Sequence, residues 1–369
     1  MPPDLRLAPG YGLAGILHPD AAAAASSSPP VDPVRPGVRG VAGADDAYWM
    51  RQALLCAMAA EGRASPNPTV GAVIVKDGVL IATGATEPYG GRHAERCAID
   101  SVPDRSILRG ATIYTTLEPC AHWGKQPPCA DLVASCGFAR CVSGIRDPDP
   151  RVAGLGLERV RGAGTEVSFG PLRNEIVAWH LPYLTQRLAG RPLISARTAP
   201  FPYRDRLRRQ SDVLITGVPT VAPLSPAPGR GVIWWDLDGR TAQLTEAGAR
   251  DLSAQAQALD VPVILVAHQA TSLANVTPVV PRAGSPAAWL RAYSASAELA
   301  GVIGEQPNWL LIDDHPALAE ALAAGDGLDV VHASHPSTPP FGDLVEITRD
   351  ELIAEYLAKD LLSVLAGML

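Results

Sequence analysis

Apolar and polar positions follow helical and strand periods along most of the chain. After Asp45-Asp46, a pair of acidic residues that can cap a helix, apolar residues recur on one helical face. The next apolar run, Thr69–Val75, is rich in β-branched residues and ends just before the turn signal Asp77-Gly78. This pattern predicts a helix followed by a β-hairpin whose second strand covers 79–83.

Helical and strand patterns then alternate as far as Phe169. The predicted elements are a helix from His93, a strand over Ala111–Thr116, a helix over Pro127–Gly137, a strand over Ala139–Ser143, a helix over Leu155–Arg161 and a strand over Thr165–Phe169. Strands that alternate with helices indicate a layered α/β sheet.

A second α/β region follows a predicted connecting helix, Leu172–Gln186, and the boundary signal Gly190-Arg191-Pro192. Its predicted strands are Leu193–Ala196, Val213–Thr216, Val232–Trp235, Val261–Ala267 and Trp309–Asp313, and its predicted helices are Ala288–Ser294, Ala317–Ala324 and Leu352–Leu365. We therefore predict a first domain over 45–170, a connecting helix over 171–190 and a second domain over 191–369.

Composition limits the remaining possibilities. The first 44 residues are rich in Pro, Ala and Ser, which predicts a disordered tail. The 369 residues carry a formal charge of −7, so there is no basic footprint for nucleic acid. The absence of an apolar run of ~18 residues argues against a membrane span. Six cysteines without a signal peptide predict a cytoplasmic protein with reduced thiols.

Three residues have the chemistry and spacing of a catalytic zinc site. His93 offers an imidazole, and Cys120 and Cys129 offer two thiolates in a segment rich in Pro and Gly. Three protein ligands leave a fourth position for water, whose pKa the metal lowers towards ~7. Glu95, two residues after His93, is the expected proton shuttle. A closed structural site with His122 as a fourth ligand would leave Glu95 without a task.

The remaining cysteines lie in helical or strand patterns. We expect them to be buried small side chains; they are Cys56, Cys97, Cys136 and Cys141.

The H-x-E and P-C…C pattern is the signature of zinc nucleobase deaminases, and eight residues separate the two cysteines here. The segments PNPTVGAVIVKDG, LEPCAHWGKQPPC and IRDPDPRVAGLGLERVRGAG closely resemble the pyrimidine deaminase domain of the bifunctional riboflavin biosynthesis deaminase/reductase family. The resemblance covers about 46–170. It implies a cytidine-deaminase-like three-layer α/β/α domain followed by a dihydrofolate-reductase-like α/β domain.

The resemblance also implies an activity and a set of residues. The family deaminates a diaminohydroxyphosphoribosylaminopyrimidine to the pyrimidinedione and ammonia. By resemblance the zinc ligands and Glu95 keep the roles given above, and Asn67, His122 and Lys125 bind substrate. Lys125 offers a point charge for the phosphate. Two positions depart from the family: Thr86 replaces a histidine and Gln126 replaces a threonine.

The second domain resembles the family's reductase only faintly. The strand after Arg191-Pro192 leads into Pro200-Phe201-Pro202-Tyr203 instead of S-L-D-G. Thr220 fits a cofactor-side threonine, but the D-D-P-x-L that should follow it is replaced, and Asp313-Asp314-His315 stands where E-G-G is usual. We expect a reductase frame without a working cofactor site, which serves to hold a homo-oligomer together.

Four hypotheses about function are compatible with the sequence. The leading one is a zinc-dependent aminohydrolase of riboflavin biosynthesis that acts on a small molecule. The alternatives are a bifunctional deaminase and NADPH-dependent reductase, a tRNA adenosine deaminase, and an inactive scaffold. The wide spacing of the cysteines and the lack of basic excess argue against the tRNA enzyme, and the intact zinc set argues against the scaffold.

Overall fold

The computed structural model describes two compact units, Met1–Leu184 and Thr185–Leu369. The described residues are 36–37, 39–40, 44–60, 64–197, 208, 210–219, 230–236, 239–269, 272–281, 285–313, 315–324 and 328–332. The predicted tail lies almost wholly outside them, as do the predicted helix over 352–365, the segment 200–203, Thr220 and Asp314.

The first unit alternates helices and strands as the sequence pattern predicts. Its elements are α1 (Asp46–Ala59), β1 (Gly71–Lys76), β2 (Val79–Ala85), α2 (Ala94–Asp100), β3 (Thr112–Thr115), α3 (Cys129–Ser135), β4 (Arg140–Ser143), α4 (Leu155–Gly162) and β5 (Glu166–Phe169). Helix α5 (Arg173–Ala189) follows and carries the chain into the second unit. Each predicted element of this part is present, with ends that differ by a few residues.

The first sheet has five strands in the order β2-β1-β3-β4-β5. Strand β1 is antiparallel to β2 and β3, whereas β3, β4 and β5 are mutually parallel. The hairpin turn has positive φ at both Asp77 (51°) and Gly78 (71°), as a type I′ turn requires. The parallel strands β3 and β4 end at one edge, which places the chain after each of them on the same side of the unit.

Helix α2 lies very close to β2 because Gly84 has no side chain. A Cβ at Gly84 would be 2.1 Å from the carbonyl oxygen of Ala94 and 2.6 Å from the amide nitrogen of Ala98. Such distances are far below van der Waals contact, so a larger residue would push the helix off the sheet. This contact fixes the start of α2, where the predicted metal ligand His93 and the predicted proton shuttle Glu95 lie.

The second unit is also α/β. Its elements are β6 (Leu193–Arg197), β7 (Val213–Gly217), β8 (Gly231–Asp236), α6 (Glu246–Ala258), β9 (Val263–Ala267), β10 (Val276–Val279), α7 (Pro286–Ser294), α8 (Ala297–Ile303), β11 (Trp309–Ile312), α9 (Pro316–Ala324) and β12 (Val330–His332). Its strands pair in the order β10-β9-β8-β7-β11-β6-β12, and every pair among the described residues is parallel.

A buried ion cluster lies at the carboxyl ends of β6 and β11. The carboxylate of Asp313, which is fully buried, accepts hydrogen bonds from the Nε groups of Arg197 and Arg208. At the amino ends of strands β7 and β11 of the same sheet, the Asp212 carboxylate accepts hydrogen bonds from the backbone N–H groups of Asn308 at 2.5 Å and Trp309 at 3.0 Å. Buried carboxylates therefore lie at both ends of the strands of this sheet. Each has hydrogen-bond partners, as a buried charge requires.

Two of the four cysteines that we expect to be buried are only partly so. Cys56 and Cys141 are buried, in agreement with the prediction, but Cys97 and Cys136 are intermediate in exposure. Cys97 lies in the seven-residue helix α2 and Cys136 directly follows the seven-residue helix α3. A helix this short gives only a weak periodic signal in the sequence. No helix among the described residues is long and apolar enough to span a lipid bilayer.

Candidate metal centre and active site

Three separate elements bring the predicted zinc ligands together. His93 caps the N-terminal end of α2, Cys120 follows β3 by five residues, and Cys129 is the first residue of α3. The loop between the cysteines is closed at its base, where the N–H of Ala130 donates to the carbonyl of Cys120 at 3.1 Å. The ligand atoms of the three residues lie within 4.8 Å of one another.

The distances between these atoms fit a tetrahedral zinc. The Nδ1 atom of His93 is 3.5 Å from the Sγ atom of Cys120 and 3.5 Å from that of Cys129. Bonds of ~2.3 Å to sulfur and ~2.05 Å to nitrogen at tetrahedral angles put N and S roughly 3.6 Å apart. One imidazole and two thiolates also form a donor set that zinc prefers. These three residues can therefore hold the metal that the sequence predicts.

The thiols of Cys120 and Cys129 lie in contact and shift each other's pKa. The pKa of Cys120 is lowered to about 4 by hydrogen bonds from the Cys129 side chain, from His93 and from the Cys129 backbone N–H. The nitrogen of that N–H group is 3.3 Å from the Cys120 sulfur. The same contact with Cys120, together with burial, raises the pKa of Cys129. The Cys120 hydrogen bond also raises the pKa of His93. A bound metal would displace the remaining protons, since thiolates and a neutral imidazole are the ligating forms.

Glu95 lies beside this group without belonging to it. Its side chain is 3% exposed, and burial, followed by the neighbouring Cys120 thiolate, raises its pKa to about 7. The positive charge of His93 and a contact with the Cys129 side chain oppose that shift. A carboxyl group next to the metal ligands but outside the ligand set is where a proton carrier is needed.

His122 is not part of the ligand group that the described residues form. Its Nδ1 atom is buried and has no hydrogen-bond partner among the described residues. The closed four-ligand site therefore finds no support here. An imidazole nitrogen that is shielded from solvent and unpartnered, two residues after Cys120, is suited to bind a ligand.

The other two predicted substrate residues lie on separate loops. Asn67 precedes β1 in a turn where its backbone N–H donates to the carbonyl of Ala64 at 2.9 Å, and its side chain is partly exposed. Lys125 is exposed in the loop between the cysteines, and its Nζ atom lies 3.6 Å from the centre of the Tyr89 ring. That ring contact was not predicted from the sequence.

The two departures from the family pattern have different surroundings. Thr86 is buried, and its hydroxyl accepts a hydrogen bond from the N–H of Val70 at 2.9 Å and donates to the same residue's carbonyl at 3.4 Å. The Thr86 side chain therefore joins two backbone segments. Gln126 is partly exposed. Its backbone carbonyl accepts a hydrogen bond from the backbone N–H of Gly124 at 3.2 Å, which tightens the loop between the cysteines.

Glu118 is a positioning residue that the sequence analysis missed. Its two carboxylate oxygens accept four backbone hydrogen bonds, from Asp147 at 3.2 Å, Gly154 at 3.0 Å, Gly156 at 3.1 Å and Leu157 at 3.2 Å. It thereby ties the chain just before Cys120 to the start of α4. Burial raises the pKa of Glu118, and these N–H groups oppose the shift. A lone glutamate before a proline carries no signal of this role in sequence.

Comparison with known proteins agrees with this geometry. Residues 44–145 match the family model described as the cytidine and deoxycytidylate deaminase zinc-binding region. The match lies wholly within the first unit. It contains each of the predicted ligands and Glu95, so the prediction of a zinc cofactor is confirmed.

Relatives of the chain include riboflavin biosynthesis proteins. The chain is 36% identical over 220 residues to riboflavin biosynthesis protein RibD of Escherichia coli, which covers 54% of this chain and 59% of that protein. It is 40% identical over 152 residues to RibD of Bacillus amyloliquefaciens, covering 41% of this chain and 40% of the relative. The chain thus spans about two fifths to three fifths of the length of these relatives.

A solved structure extends the likeness to both units. The deaminase/reductase of Thermotoga maritima, named as a diaminohydroxyphosphoribosylaminopyrimidine deaminase and 5-amino-6-(5-phosphoribosylamino)uracil reductase, matches 80% of this chain and 93% of its own. The TM-score is 0.61 at 26% identity. RibD of Acinetobacter baumannii gives a TM-score of 0.60 at 26% identity. The expected two-part fold is confirmed.

Proposed function

We propose that the chain catalyses zinc-dependent hydrolytic deamination of the diaminohydroxyphosphoribosylaminopyrimidine intermediate of riboflavin biosynthesis, in the cytoplasm. The observation that carries the proposal is the group of His93, Cys120 and Cys129 with the buried carboxyl group of Glu95 beside it. The wide loop between the cysteines and the similarity to RibD proteins support the substrate class.

In the proposed reaction water replaces the amino group of the pyrimidine ring. Zinc, when bound by the three ligands, supplies Lewis-acid activation of water. Glu95 accepts the proton of the attacking water as the new C–O bond forms. It then delivers that proton to the leaving nitrogen as the C–N bond breaks, which releases ammonia. Because its carboxyl group is buried, its contact with bulk solvent is limited.

The residues around the metal group would hold the two ends of the substrate. His122 can bind a polar atom of the ring through its unpartnered Nδ1 atom. Asn67, in the turn before β1, can read ring or ribose groups through its amide. Lys125 would attract the phosphate as a point charge.

The test is an assay of the purified, zinc-loaded chain with the phosphorylated aminopyrimidine. We expect stoichiometric ammonia and a spectral change to the pyrimidinedione. Cytidine, deoxycytidylate and a tRNA anticodon stem-loop serve as comparison substrates. Turnover of any of these in preference to the aminopyrimidine contradicts the proposal.

A second activity has one specific observation in its favour. The Thermotoga maritima structure, whose name includes a reductase, overlays on both units of this chain. A bifunctional deaminase and NADPH-dependent reductase is therefore the alternative. The homo-oligomer that we expect through the second domain stays a prediction, to be measured by light scattering.

A further inference from the structure

The chain just before His93 forms a small closed loop. The Arg92 guanidinium Nη2 donates to Glu87 at 2.6 Å, and the Arg92 backbone N–H donates to the same carboxylate at 2.8 Å. The backbone N–H of Glu87 returns a bond to the Arg92 carbonyl at 2.9 Å. The first and last residues of 87–92 are thus held together by main-chain and side-chain bonds. We call this segment the clasped loop.

A tight turn forms the tip of the clasped loop. The N–H of Gly91 donates to the carbonyl of Pro88 at 2.8 Å, and Gly90 has a φ of +91°. A positive φ at the third position defines a type II turn, which puts Tyr89 at the second position. Glycine at position 90 removes the penalty that another residue would suffer at this φ. The Tyr89 backbone is therefore fixed relative to His93, one residue beyond the clasp.

The Tyr89 ring receives the ammonium group of Lys125, which comes from the loop between the two cysteines. The distance of 3.6 Å from Nζ to the ring centre is well inside the range of a cation–π contact. No described carboxylate lies within ion-pair distance of Lys125. An aromatic face attracts a cation without neutralising it, so the full positive charge stays available for an anion.

We propose that Tyr89 is a positioning residue that holds Lys125 for the substrate's phosphate and so sets the preference for phosphorylated pyrimidines. This inference rests on the proposed function. An exposed lysine has a flexible four-carbon stem, and fixing it at the moment of binding weakens affinity. The clasped loop removes part of that freedom beforehand.

The kinetic test compares Tyr89→Leu with Tyr89→Phe on the phosphorylated substrate and on its dephosphorylated analogue. A contact of this strength at an exposed site corresponds to roughly two- to fivefold in affinity. We expect Tyr89→Leu to raise KM by that factor for the phosphorylated substrate alone, with kcat unchanged. Tyr89→Phe keeps the ring and should retain the wild-type preference for the phosphorylated substrate. Equal losses on both substrates overturn the proposal.

A spectroscopic test needs no turnover. The sequence has only three lysines, Lys76, Lys125 and Lys359, so lysine labelled with ¹³C at Cε gives three resolvable NMR signals. We expect the signal that Lys125→Ala removes to show an upfield ring-current shift in the wild type and in Tyr89→Phe, and to lose it in Tyr89→Leu. A Lys125 signal that is the same in all three proteins overturns the contact.

Titration of inorganic phosphate separates this inference from the proposed function. We expect phosphate to move the Lys125 signal, with a two- to fivefold weaker affinity in Tyr89→Leu. If the chain deaminates no pyrimidine but this difference is present, the proposed function fails and the role of Tyr89 stands. If deamination proceeds and Tyr89→Leu binds phosphate like the wild type, the role of Tyr89 fails alone.

Discussion

Glu95 lies beside the three proposed ligand residues, and substitution can separate the roles that we propose for them. Glu95 lies outside the ligand group, so Glu95→Gln should keep one zinc per chain while the deamination rate falls at least ~10²-fold, the usual contribution of a general acid–base group. Cys129→Ala should lose metal and activity together. Metal analysis beside rate measurement checks both. Loss of zinc from Glu95→Gln would contradict the assignment of roles.

Lys125 is predicted to act on the phosphate alone. Its ammonium is exposed and has no carboxylate partner among the described residues, so Lys125→Ala should leave the fold intact. We expect KM for the phosphorylated substrate to rise about tenfold or more, since a charge-assisted hydrogen bond contributes roughly 1.5–3 kcal/mol. The dephosphorylated analogue should be processed as before. A matching rise in its KM would mean that Lys125 serves the structure of the loop.

For single residues, the sequence predicts a role only where the residue type and its spacing already indicate the chemistry. His93, Cys120 and Cys129 are recognisable because few residue types ligate zinc, and the structure brings them together. The contacts of Glu118 and Tyr89 are not recognisable. Both depend on partners tens of residues away along the chain, and neither residue type is restricted to such a role.

Among the elements, the start of α4 depends on a single side chain outside the helix. Glu118 is buried and accepts three of its four backbone hydrogen bonds there, so Glu118→Ala should lower the free energy of unfolding of the first unit by about 3 kcal/mol. Denaturation followed by circular dichroism measures this. Glu158→Ala, an exposed glutamate in the first turn of the same helix, is the control and should cost less than about 1 kcal/mol. Equal effects would show that Glu118 has no special role.

Helix α5 is anchored to the first sheet by a histidine that stays neutral. His180 is buried, its Nε2 atom is 3.2 Å from the hydroxyl of Thr116, and burial lowers its pKa to about 3. In the unfolded chain the pKa is ~6.5. Between these values the unfolded state binds a proton that the folded state does not, so stability falls as pH drops from ~6.5 towards 3.

Replacing His180 isolates this contribution. His180→Gln, which keeps a hydrogen-bonding group for Thr116, should flatten the fall of unfolding free energy by up to about 1.4 kcal/mol per pH unit. Urea unfolding at several values between pH 6.5 and 4 measures the slope. Identical slopes for the two proteins would mean that His180 titrates normally in the folded state.

Three elements of the second unit that the sequence did not predict have weak patterns of apolar residues. Helix α6 buries only Leu252, Gln255 and Ala256, so its apolar face is narrow. Strand β10 contains Pro278 and is largely exposed at the edge of its sheet, where proline is tolerated. Strand β12 has three residues. The order of the second sheet, with β11 between β7 and β6, is also beyond local pattern, because it depends on contacts about a hundred residues apart.

For the whole molecule, the open question is whether the second unit reduces the deaminated product. We predict that it does not. Ligands of parallel α/β sheets bind at the carboxyl ends of the strands. At that edge Asp313 is fully buried and binds Arg197 and Arg208, in a segment where the family has a glycine-rich turn. The segments that replace S-L-D-G and D-D-P-x-L lie outside the described residues.

A coupled assay on the full chain decides this. We expect ammonia release without NADPH oxidation, and no NADPH binding by calorimetry at millimolar cofactor. One NADPH consumed for each ammonia released would restore the bifunctional enzyme. It would also show that a divergent set of residues has taken over the cofactor site.

The closed base of the loop between Cys120 and Cys129 has a further consequence. The two residues that end the loop are metal ligands, and Lys125 lies between them. A bound metal would join both ends of the loop and limit its conformations. An anion that binds Lys125 would then lose less affinity to ordering of the chain. Linkage makes this effect reciprocal, and bound anion must raise zinc affinity by the same factor. Competition for zinc against a chelator, with and without the phosphorylated ligand, measures that factor, and we expect the ligand to slow the loss of zinc.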